Sequence, residues 1–228
     1  MKAFYTYLLL FGILGSLQAQ ETAPSKRIYT TSSGEIIFSW ADLTIDGNEE
    51  PSVMRFSPVI NIQNWVNIDY SDNFGAFSGL SVRNVGFIAD DPTDASIRKK
   101  FRTYNIGIPF GVKIGNLSNK FLFVGYELEI PVHYKEKTFI NEDKEEKDDI
   151  WFSSRVNTIN HSLMAGIQLP YGATLKFKYY LTNFFNKDYT QTENGVTFKP
   201  YENSDVNIFY FSLSFGLLKN TNFYYNKD

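Results

Sequence analysis

Apolar and polar residues alternate one for one in about eight segments of this chain, and the connections between those segments are by turns short and long. Successive side chains of a β-strand point to opposite faces, so each segment has one greasy face and one small or polar face. The last segment shows the pattern. Phe209, Phe211, Leu213, Phe215 and Leu217 fall on one side, and Tyr210, Ser212, Ser214 and Gly216 on the other. Strands of this kind close into a barrel, with the greasy side inward in water or outward in a bilayer.

The alternation predicts strands at 34–45, 54–69, 74–89, 100–115, 120–138, 151–169, 172–185 and 205–218. Turn-forming residues join three neighbouring pairs: Tyr70-Ser71-Asp72-Asn73, Asn116-Leu117-Ser118-Asn119 and Pro170-Tyr171-Gly172. The other connections, 46–53, 90–99, 141–149 and 186–204, are longer and polar. Short periplasmic turns opposite longer outer loops are the plan of an outer-membrane barrel. The expected fold is therefore all-β, an eight-stranded antiparallel up-and-down transmembrane β-barrel over residues 34–218.

The two faces decide between bilayer and water. Tyr104, Ile106, Ile108, Phe110, Val112 and Ile114 form one apolar row, and Leu122, Val124, Tyr126, Leu128, Ile130, Val132 and Tyr134 another. Each row is about as long as the 9–11 residues a tilted strand needs to cross hydrocarbon. Tyr70 and Phe74 toward the turns, with Tyr104, Tyr134, Trp151 and Phe185 toward the loops, are expected as interfacial aromatic girdles. The opposite faces carry Arg83, Lys113, Glu127, Glu129, Lys176 and Lys178. A dry soluble core would bear a cost of several kcal/mol per unpaired ion. In a narrow lumen these charges can pair with one another, so a buried lumen network is expected, and a lipocalin-like soluble barrel is the weaker alternative.

The N-terminus agrees with export. One positive charge at Lys2, an apolar run over 8–17 and the small Ala19 read as a signal peptide over 1–19. Residues 20–33 are expected as a flexible leader and 219–228 as a C-terminal tail. The chain has no cysteine, so neither disulfides nor a cysteine-linked lipid is expected. A net charge of −3 gives no footprint for nucleic acid.

Tyr104-Asn105-Ile106-Gly107-Ile108-Pro109-Phe110-Gly111-Val112-Lys113-Ile114-Gly115 resembles the mid-barrel strand of the PorT-like outer-membrane β-barrel family. Phe211-Ser212-Leu213-Ser214-Phe215-Gly216 resembles that family's final strand, although here residues 219–228 follow it. The resemblance implies an outer-membrane barrel without an assigned biochemical activity, one branch being linked to protein secretion. Outer-membrane lipid or lipopolysaccharide and envelope or secretion proteins are the partners expected.

No catalytic, metal or cofactor site is expected. His161 beside Ser162 invites comparison with barrel lipid A deacylases, but adjacent strand residues face opposite ways, so a lipid hydrolase is a minor alternative. The charged run at 142–149 is expected as a solvated loop tip. Asp90, Asp91 and Asp94 lack the spacing of a calcium loop. The leading expectation is a closed barrel with a structural, adhesive or secretion-accessory role. The alternative is a binding or transport barrel for a small hydrophobic or anionic ligand.

Overall fold

The computed structural model describes residues 27–91, 94, 96–141, 143–216 and 221–224. The expected signal peptide and the leader up to residue 26 lie outside the described residues, as do 217–220 and 225–228 of the last strand and tail. Eight long strands form the wall: β1 (Arg27–Ile45), β2 (Ile62–Asp69), β3 (Phe74–Asp90), β4 (Ile97–Asn116), β5 (Lys120–Ile140), β6 (Asn160–Gln168), β7 (Thr174–Tyr180) and β8 (Ser204–Gly216). Each is hydrogen-bonded antiparallel to the next, and β8 returns to β1 from Ser33↔Gly216 to Ile45↔Ser204. The sheet is closed, so the transmembrane barrel expected from the alternation is the fold observed.

Its outer surface is apolar through the middle. Leu80, Ile108, Leu122, Val124, Leu163 and Phe215 each expose between about half and three-fifths of their surface. Meanwhile Arg83, Lys113, Glu127, Glu129 and Lys178 are fully buried inside. A continuous apolar band around a charged interior is stable only where hydrocarbon, rather than water, lies outside.

Several expectations need correction. The first strand starts at Arg27, so 27–33 of the expected leader belongs to the wall, paired from Arg27↔Asp69 to Gly34↔Ile62. Thr221–Tyr224 in the expected tail pairs with the other edge of that start. The second strand, expected unbroken over 54–69, is interrupted at 58–61 by Pro58 and by Ile60 at φ 61°. Proline has no N–H for the ladder, which favours a break there. The run expected as a solvated loop is a strand, Asp143–Trp151, laid along the upper part of β5.

Two girdle residues face inward. On β5 the register jumps from Tyr104↔His133 to Asn105↔Pro131, leaving Val132 as a bulge residue. One extra residue reverses the phase above it. His133 therefore takes the outward position, stacked between Tyr104 and Trp151, and Tyr134 is completely buried. Phe185 also misses the girdle, because β7 ends at Tyr180 rather than 185 and the chain turns in over the mouth. There Phe185 is buried against Phe101 and Tyr201. Tyr70, Phe74 and Trp151 are exposed and Tyr104 is half-buried, as interfacial side chains would be.

Candidate functional site: the plugged lumen and its mouth

The alternation of β1, β3, β5 and β7 aims Glu35, Arg83, Glu127, Glu129, Lys176 and Lys178 at one another across the lumen. Arg83 Nη1 pairs with Glu35, its Nη2 lies 3.2 Å from Glu127 and its Nε 3.4 Å from Glu129. Lys178 reaches Glu127 at 2.6 Å and also pairs with Glu129, while Lys176 pairs with Glu35. Every carboxylate thus faces two cations, and the three cations balance the three anions. Such balance is what makes burial tolerable, because an uncompensated charge in a low dielectric is strongly destabilising.

Neutral donors and acceptors fill the remaining positions. Tyr180 and Asn105 each donate to Glu129 at 2.7 Å, and Ser81 donates to Glu127. The Gln63 side-chain carbonyl accepts from Arg83 at 3.3 Å and from Lys176 at 3.2 Å. Gly107 leaves the necessary space: a Cβ there would stand 2.6 Å from both the Glu127 carboxylate and the Ser81 hydroxyl.

Lys113, expected in the same network, lies apart from it. Its ammonium is 2.7 Å from Asp69 and donates to Asn67 and Tyr29, each at 3.0 Å. Between this pair and the six-charge cage stands an aromatic layer, with Trp65 stacked on Phe77 at 4.2 Å and Phe123 edge-on to both. Toward the loops Phe87, Phe101, Phe184 and Phe185 form a second aromatic layer. The lumen is therefore filled by alternating ionic and aromatic layers rather than by polar groups alone.

Glu35 and Asp69 were not among the candidates from sequence. One signal pointed to them. The sequence inventory set four inward cations against two carboxylates, and a closed lumen does not hold two spare positive charges. Glu35 and Asp69 supply the missing two.

Above the second aromatic layer the strand extensions form a cup of about 570 Å³, floored by Phe87, Phe101, Phe185 and Tyr201. Its rim carries Asp46, Glu50, Asp90 and Asp91 with Lys99. A smaller cavity of about 380 Å³ shares Lys99, Phe101 and Tyr201 and is lined by Glu136, Asp148 and Arg155. On the outer wall Tyr126 and His161 are hydrogen-bonded to each other. Ser162 points the other way, donating to the Glu127 carbonyl at 3.0 Å, so His161 and Ser162 do not meet. Among the described residues no cluster of three or more His, Asp or Glu side chains is placed to hold a metal.

No family model and no curated protein matches the chain. Solved structures that resemble it include Ail, the attachment invasion locus protein of Yersinia pestis, at 11% identity and a TM-score of 0.38, covering 85% of this chain and 100% of that one. Neisserial surface protein A follows at 9% identity and 0.37, covering 86% and 99%. The outer membrane protein AlkL, solved in lipid bilayers, resembles it at 9% identity and 0.35, covering 92% and 95%.

Proposed function

We propose that the protein is a sealed outer-membrane barrel of the PorT-like kind, acting not as a pore but as an anchor for the crown of strand extensions above the apolar belt. Its role is structural, adhesive or accessory to secretion, exercised by that crown toward the cell exterior. The observation that carries this reading is the lumen itself. Among the described residues, two aromatic layers and a six-charge cage of balanced charge stand in series across it.

A second reading has one observation in its favour. The mouth cup is within the size range of small-molecule sites and has an aromatic floor. Its acidic rim suits a flat apolar ligand with a neutral or cationic end better than an anionic one.

Planar-bilayer recordings of the purified full chain test the sealed reading, and large stable unitary currents would overturn it. Cysteine labelling with an impermeant reagent in intact cells tests orientation. Lys144→Cys and Glu193→Cys should label, whereas Ser118→Cys and Tyr171→Cys should not. The reverse pattern would invert the barrel.

A further inference from the structure

Three adjacent strand segments, β4, the upper part of β5 and Asp143–Trp151, place their outward side chains in level rows. The register aligns Tyr104, His133 and Trp151 in one row, then Arg102, Lys135 and Asp149, then Lys100, Lys137 and Lys147. The next row holds Arg98, Phe139 and Lys144, Arg98 being paired with Asp90 at 2.6 Å. In the two rows above the aromatic one, Arg102, Lys135, Lys100, Lys137 and Lys147 thus accompany one carboxylate, Asp149, which is 3.1 Å from Lys135 and 2.8 Å from Lys147.

Three lysines abreast are unfavourable, since like charges directly opposite on a sheet repel. The inner face of the same sheet shows how a like-charge pair can be relieved. Glu136 is opposite Asp148, and Arg155 bridges them, 3.3 Å from Glu136. The outer row has no such bridge. Lys100 rests over the Phe139 ring, 4.5 Å from its centroid, and Lys137 has no carboxylate within ion-pair distance among the described residues. Partial burial and then the surrounding cations Arg102, Lys144, Lys147 and Lys100 hold the Lys137 ammonium below its usual pKa.

Height along the wall selects the counter-ion. The aromatic row of Tyr104, His133 and Trp151 marks the membrane interface. Two residues of strand rise about 7 Å, so with the usual tilt the cationic rows stand roughly 5 and 10 Å above it, at the depth of the headgroup layer. We propose that this face binds the phosphate groups of a phosphorylated lipid headgroup in the outer leaflet, with Lys100, Lys137 and Lys147 as the central contacts and Arg102 and Lys135 beneath them. The inference rests on the membrane-barrel reading.

The test uses the full chain folded in zwitterionic detergent and a lipid with two phosphomonoesters on a sugar headgroup. The same lipid after dephosphorylation, and inorganic phosphate, serve as the other probes. A basic side chain near an anionic surface is worth roughly fivefold in affinity, so the variant Lys100→Gln/Lys137→Gln/Lys147→Gln should bind the phosphorylated lipid at least tenfold more weakly. It should also unfold at a higher temperature than the parent without that lipid and lose the advantage when it is added, a crossover that a purely structural role would not give. Equal binding by parent and variant, or equal binding of the dephosphorylated lipid, overturns the proposal. Saturation by inorganic phosphate at the same concentration would replace the lipid by a free-phosphate site. Failure of the parent to insert into purely zwitterionic vesicles would instead count against the membrane reading.

Discussion

Glu35 and Arg83 meet inside the barrel from strands that are two places apart in the wall. No backbone hydrogen bond joins β1 to β3 at that height, so the ion pair is a strut across the lumen. Glu127, Glu129, Lys176 and Lys178 extend it to β5 and β7, which ties alternate strands together independently of the sheet ladder.

The cage should therefore respond to charge balance rather than to the loss of single contacts. Glu127→Ala leaves Arg83 and Lys178 in excess and is expected to cost about 3–5 kcal/mol, as removing one partner of a buried pair does. Adding Lys178→Ala restores neutrality, so the double variant should be less destabilised than the sum of the two single ones. Unfolding titrations followed by gel mobility measure this, and simple additivity would show the residues to be uncoupled.

Deleting Val132 removes the one residue of this stretch of β5 that has no partner on β4. Pro131 then joins His133 directly, and strict alternation keeps Pro131 inward, His133 outward and Tyr134 inward, the faces they already have. In an otherwise unchanged chain Lys137→Cys should react with an aqueous maleimide, and in the Val132 deletion that labelling should persist. Labelling lost at Lys137→Cys and gained at Tyr134→Cys in the deletion would mean that Val132 is not the residue that sets the phase.

Tyr201 gives the mouth an alkaline limit. Burial, with the Glu136 carboxylate adding to it, pushes its phenol up to about 12. An ordinary tyrosine titrates near pH ~10, so the folded form holds this proton more tightly than the unfolded chain does. The resulting stabilisation is complete below that value and is lost as pH rises through about 12. Several tyrosines of the chain titrate late, and Tyr201→Phe should remove one phenolate step near pH 12 from the absorbance curve. An unchanged curve in that variant would mean that Tyr201 does not supply that step.

The proposed seal has more than one layer, so opening one should not open the barrel. Phe123→Ala thins the lower aromatic layer but leaves the ionic cage and the Phe87, Phe101 and Phe185 layer in place. No increase in bilayer conductance is expected from it. A single substitution that produced steady currents would mean that the other layers are permeable.

What the sequence disclosed follows from where the alternation is strict. Ile106 to Ile114 and Leu122 to Ile130 show period two without interruption, and their faces could be assigned at once. Val132 lies in an equally regular string, and nothing local distinguishes a bulge from a continuing strand except Pro131 beside it. The error therefore began at Tyr134 and affected everything above. Glu35 was hidden for a different reason. It is followed by Ile36 and Ile37, so both faces of β1 look apolar there and only the total of inward charge gave it away. Phe185 follows a tertiary preference, the aromatic cap, that no periodicity encodes.

The closure between β1 and β8 has a consequence in time. Ser33 pairs with Gly216, and the start of β1 is held between Ile62–Asp69 and Thr221–Tyr224. Nearly the whole polypeptide must be laid down before this seam can form. The entropic penalty of closing so long a loop grows only slowly with length. The greater hazard is an open strand edge waiting for its partner, an edge to which other chains can add. Membrane delivery and seam closure should thus be one late event, and a nascent barrel that stops before residue 204 should aggregate rather than remain as a smaller, stable intermediate.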